Sequence, residues 1–89
     1  MPKAEVAIIN KLGLHARASA KLAQLAGNFA ADVWLERNER RVNARSIMGL
    51  MMLAASRGTV VAIETEGEDA QEALKCIVEL IANRFDEEE

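Results

Sequence analysis

The chain has 89 residues, 51% hydrophobic and 28% charged, which fits one small soluble domain over residues 1–89 and excludes a disordered tail. No apolar run approaches the ~18–20 residues of a membrane span, no secretory leader is visible in Met1-Pro2-Lys3-Ala4-Glu5, and a single cysteine and a single histidine exclude an intrachain disulfide and a multi-ligand soft-metal site. The net charge of −3, with three aromatics in all, excludes a nucleic-acid binder built on basic and stacking side chains.

Taken in chain order, residues 4–9 are short and β-branched and predict a first strand. Residues 10–14, Asn-Lys-Leu-Gly-Leu, break that pattern as a loop. From His15 the sequence becomes alanine-rich. Leu22, Leu25, Ala26 and Phe29 form an i, i+3, i+4, i+7 stripe, and Gly27-Asn28 predicts a left-handed helix end. Ala31, Val33 and Leu35 alternate with polar or amphipathic neighbours in a second strand. Residues 37–40 read as a turn and 41–43 as a short returning strand.

Ser46 is placed to cap a helix over 47–53. Ile47, Leu50 and Leu53 are expected inside and Met48 and Met51 outside, where flexible thioethers suit several partners. Residues 59–66 make the clearest strand, with Val61 and Ile63 inward. Asp69 with Glu72 predicts a capping box for a last helix striped by Leu74, Ile77, Val78 and Ile81. Cys76 falls about 200° round from Leu74 and is expected to be partly exposed. Residues 86–89, Asp-Glu-Glu-Glu, repel one another and are expected to fray. The order β-α-β-β-α-β-α predicts an α+β two-layer sandwich, four short strands with helices on one face.

Charge is unevenly spread. Residues 1–57 hold nine Lys/Arg against four Asp/Glu, a balance of +5; residues 58–89 hold two against ten, a balance of −8. The basic half reads either as one face that attracts an acidic protein or a phosphate, or as plain segregation of charge.

The chemical signal is Gly13-Leu14-His15-Ala16-Arg17, a glycine-bearing loop that delivers a histidine to the first turn of a helix. Backbone N–H groups there lack intrahelical partners, and the helix dipole adds positive potential. The N–H groups of Ala16, Arg17 and Ala18 would hold an anion beside His15. Arg17 adds a planar, permanently charged donor. Imidazole is a good nucleophile near neutral pH and passes on a phosphoryl group readily. The plain alternative is a small-ligand-sensing module in which His15 is only a helix cap.

Residues 10–17, Asn-Lys-Leu-Gly-Leu-His-Ala-Arg, with residues 43–50, Asn-Ala-Arg-Ser-Ile-Met-Gly-Leu, resemble the phosphocarrier protein HPr family of the bacterial phosphotransferase system over nearly the whole chain. The resemblance implies an open-faced β-sandwich and a phosphoryl group carried on His15, at Nδ1 in the family. That group would arrive from phosphoenolpyruvate-charged Enzyme I and leave for an Enzyme IIA domain, with no metal or cofactor of the carrier's own. It implies a partner-docking face, here Lys21, Arg45, Ile47, Met48 and Met51. It implies an HPr kinase/phosphorylase as a possible modifier of Ser46, a role that stands beside plain helix capping. The ending Phe85-Asp86-Glu87-Glu88 also resembles the nitrogen-regulatory branch. A monomer in the cytoplasm, without nucleic acid or membrane insertion, is expected. One departure stands out: Ala18 occupies the position where the family usually has proline.

Overall fold

The computed structural model describes residues 2–87. Its elements are β1 (Lys3–Ala7), α1 (Ala16–Ala26), β2 (Asp32–Arg37), β3 (Arg40–Asn43), α2 (Ile47–Met52), β4 (Val60–Glu66) and α3 (Ala70–Ala82), followed by a 3-10 turn over Arg84–Asp86. The strands form one sheet in the order β1-β4-β2-β3, antiparallel at every pairing. The helices pack on one face, giving the expected open-faced α+β sandwich.

Alternation in the strands decides which residues enter the core. Val33 and Leu35 of β2 and Val61, Ile63 and Thr65 of β4 turn inward and are buried. The apolar four meet Leu22 and Ala26 of α1, Leu50 of α2, and Ala73, Ile77 and Ile81 of α3 in one cluster, while the Thr65 hydroxyl donates to Ala70 O. Leu25, Phe29, Leu74 and Val78 line its margin, so both helical stripes lie where their spacing puts them. Cys76 is half-buried. On the helix-free face, Arg41 stacks 4.4 Å above the Trp34 ring and its Nη1 lies 2.7 Å from Glu64 Oε1.

The β2–β3 hairpin turns through Asn38 and Glu39, both at positive φ, as a two-residue primed turn requires. It delivers Arg37 to the carbonyls of Leu53 and Ala54, and Arg40 to that of Met52. Two guanidiniums thus satisfy the free carbonyl end of α2, whose dipole favours cations there.

Four expectations need correction. Helix α1 does end at Gly27, but with φ −67° and ψ −15°, so its end is a continuing right-handed turn and not a left-handed cap. Ile47 is 42% exposed and not core, because a six-residue helix turns only one narrow side inward and Leu50 takes it. Asp69 makes no cap bond within α3; its carboxylate accepts from the amides of Ala30 and Ala31 instead, tying α3 to the entry of β2. The fourth concerns the C-terminal segment. Residues 88 and 89 lie outside the described residues, but Asp86 and Glu87 are placed. Left-handed φ values at Arg84, Phe85 and Asp86 fold the chain back, and Phe85 is fully buried. Burying a phenylalanine contributes about 1.5–3 kcal/mol, more than repulsion among exposed carboxylates costs.

Candidate functional site

The loop before α1 is shaped from its ends. Asn10 is fully buried, and its side-chain amide donates to Gly13 O at 2.9 Å. Gly13 sits at φ +66° against the chain that follows α2, and Leu14 N donates to Ala55 O at 2.9 Å. The Ser19 hydroxyl, also buried, donates to Leu14 O. These bonds set His15 at the N-cap of α1 with extended backbone, while its carbonyl takes the first helical bond, from Ser19 N.

Both imidazole nitrogens have partners. Nδ1 accepts from Arg17 N–H at 3.3 Å, and Nε2 lies 2.6 Å from Glu87 Oε2. The two contacts select one tautomer. A backbone N–H needs an acceptor, so Nδ1 presents its lone pair; a carboxylate needs a donor, so Nε2 carries the proton. Burial pushes the Glu87 carboxyl up, but hydrogen bonds from Asn10 and from the His15 ring and the charge of Lys21 outweigh it and hold it below its ordinary range.

Around the ring lies an open hollow of about 930 Å³, lined by Lys11, Leu12, His15, Ala16, Arg17, Lys21, Asp86 and Glu87. Arg17 is exposed there. The Lys21 ammonium donates to Phe85 O at 2.7 Å, pinning the C-terminal turn to α1. Ala18, the third helical residue, is fully buried. The arrangement presents a nucleophilic nitrogen, a helix-start N–H aimed at it and cationic side chains beside it. That is chemistry for taking and holding a transferable anion.

Of the residues singled out from sequence, the fold brings His15, Ala16, Arg17 and Lys21 to this hollow. Ile47, Met48 and Met51 stand exposed on α2, and Met48 is 70% exposed. Arg45 does not line the hollow. Its guanidinium donates to the carbonyls of Phe29 and Ala31 and lies 3.8 Å from Asp32. Ser46 caps α2 by accepting from Gly49 N at 2.9 Å. Sequence reading missed Glu87 and the buried role of Asn10. Phe85, an apolar residue just past a helix end, was the available signal that the chain returns to the core.

The profile of the family described as "PTS HPr component phosphorylation site" matches residues 2–83. The chain belongs to the HPr family. A phosphocarrier protein HPr from Cupriavidus necator is 61% identical over 89 residues, covering all of both chains. A phosphocarrier protein NPr from Shewanella violacea is 43% identical over 83 residues, 93% of this chain and 91% of its own. Among solved structures, an HPr from Thermoanaerobacter tengcongensis superposes with a TM-score of 0.96 at 45% identity, covering all of both chains. As a member of this family the chain is a phosphocarrier of the phosphotransferase system, whose partners are of the Enzyme I and Enzyme IIA kind. Among the described residues no helix is long and apolar enough to cross a membrane.

Proposed function

We propose that the chain, acting as one domain and as a monomer in the cytoplasm, receives a phosphoryl group on His15 Nδ1 from phosphoenolpyruvate-charged Enzyme I and hands it to an Enzyme IIA domain. The observation that carries this reading is the pairing at the ring: Nδ1 is unprotonated at the edge of the open hollow, and its lone pair is covered only by a long 3.3 Å bond from Arg17 N–H, which opens as phosphorus approaches. A phosphoryl oxygen arriving at Nδ1 enters reach of that N–H and of the vacant donors of the first turn. The Arg17 guanidinium then balances charge as the phosphoryl group moves between nitrogens. Exposed Met48, Met51 and Ile47, with Lys21, supply an apolar and basic docking rim. Arg45, exposed just before α2, adds a cation to that docking face while its guanidinium holds the carbonyls of Phe29 and Ala31. Ser46 is exposed at the start of α2 and open to an HPr kinase, in addition to its capping bond.

Incubation with Enzyme I and phosphoenolpyruvate tests the reading. One acid-labile phosphate per chain is expected in the wild type and none in His15→Ala. Incorporation retained by His15→Ala sinks the assignment. Arg17→Ala is expected to load about a hundredfold more slowly, the usual cost of removing one donor to a developing anionic charge, with a smaller effect on docking.

A further inference from the structure

We infer that Glu87, braced by Asn10, is the positioning residue that keeps the His15 proton on Nε2 and so makes Nδ1 the phosphoryl acceptor; this rests on the carrier reading above. Three contacts form a chain. The buried Asn10 amide donates to Gly13 O and to Glu87 Oε1, at 2.9 and 3.1 Å. The other carboxylate oxygen, Glu87 Oε2, faces His15 Nε2 at 2.6 Å. The opposite Asn10 amide orientation is excluded, since it would set an oxygen against two acceptors. The carboxylate is therefore fixed at one oxygen from the loop and committed at the other to the ring. A carboxylate that orients a histidine through the nitrogen not in use is a general device for fixing its tautomer.

The step balances without moving a proton. The Arg17 N–H releases Nδ1, and the freed lone pair forms the N–P bond as the donor's bond to phosphorus breaks. The ring then bears a phosphoryl group on Nδ1, a proton on Nε2 and a positive charge, which faces the Glu87 carboxylate. On transfer to the acceptor the N–P electron pair returns to Nδ1, and the leaving group is a neutral imidazole, not an imidazolate. Glu87 thus acts on both directions of transfer while touching only the far nitrogen. Phe85 and Lys21 hold it there, through the buried ring and the 2.7 Å bond to the Phe85 carbonyl.

The test uses the full chain with 15N-labelled histidine, at a pH where the ring is neutral, alongside single-turnover loading from Enzyme I. In the wild type the ring nitrogen shifts are expected to report a protonated Nε2 and a bare Nδ1. Glu87→Ala is expected to bring up the other tautomer and to slow loading about tenfold, the low end of what removing a histidine's orienting partner costs. Glu87→Gln keeps an acceptor for Nε2–H but turns its NH2 toward the Asn10 amide and loses that brace; it is expected to restore the wild-type tautomer in part, and part of the rate. A Glu87→Ala ring with unchanged nitrogen shifts overturns the inference. So does loading at or above the wild-type rate, which would make Glu87 a mere cover over the hollow. If the wild type took no phosphate on His15, the carrier reading would fall, while the tautomer measurement on the free protein would stand by itself.

Discussion

At Gly13 an added Cβ would lie 2.4 Å from Ala55 O and 2.9 Å from Ser56 Cα, and the backbone is left-handed with φ +66°. Both obstacles are backbone, which has no rotamer by which to yield. Gly13→Ala is expected to destabilise the protein by about 1–3 kcal/mol through conformational strain, before the clash is counted. It is also expected to displace His15, since Leu14 N bonds to that same Ala55 O. A denaturant midpoint together with the loading rate checks this; wild-type values in both would mean that the loop rearranges freely. The need for a loop glycine beside His15 was legible in the sequence. What it presses against was not, because Ala55 lies 42 positions further on and nothing in its neighbours marks it as a contact. Glu87 was hidden for a different reason. In a run of like charges each carboxylate reads as solvated, and only the fold supplies the imidazole and amide that single one out.

Helices and strands were more legible than their ends. The i, i+3, i+4, i+7 stripes identified α1 and α3 because burial is a property of a whole face and survives the loss of any one contact. A cap depends on one side chain, which a distant partner can capture. Asp69 is such a case: the amides of Ala30 and Ala31 take its carboxylate at 3.0 and 2.7 Å. The bond from Ala30 is the main cause that holds its carboxyl below the ordinary range, against desolvation. A carboxylate with a depressed folded pKa adds stability above its unfolded pKa and loses it as pH falls through the folded value. Between pH 5 and pH 3 the wild type is therefore expected to lose more stability than Asp69→Asn, whose side chain does not titrate. Denaturant midpoints at the two pH values check this; equal losses would show that the bonds to Ala30 and Ala31 do not favour the charged form.

At the scale of the whole molecule, the charge asymmetry of the sequence does not become one basic face and one acidic face among the described residues. Arg37 and Arg40 close the end of α2, Arg41 lies over Trp34 on the open sheet, and Arg45 holds the entry to β2. From the basic half, Lys11, Arg17 and Lys21 are the cations that reach the hollow, where Asp86 and Glu87 from the acidic half meet them. Steering of an acidic partner should therefore depend on position and not on net charge. Charge reversal at Arg45 would be a poor probe, because it also removes two bonds to backbone carbonyls. Lys11 is exposed and lines the hollow itself, so Lys11→Glu places the reversed charge at the site. Glu66→Lys is the control. Ala7 pairs with Val60, so the loop at residues 10–13 leaves one end of the sheet, and Glu66 lies six residues along β4 at the other. At ~3.3 Å per residue that separation is about 20 Å, some two Debye lengths at 0.1 M salt. At that ionic strength Lys11→Glu is expected to slow association with Enzyme I several-fold, and Glu66→Lys, although it shifts net charge by the same amount in the opposite sense, to leave the rate within error. Near 1 M salt, where screening acts over about 3 Å, the two variants are expected to converge on the wild type. Stopped-flow association at both ionic strengths decides it: equal and opposite effects at 0.1 M would make net charge the governing quantity, and a Lys11→Glu deficit that persists at 1 M would make Lys11 a direct contact and not a source of steering field.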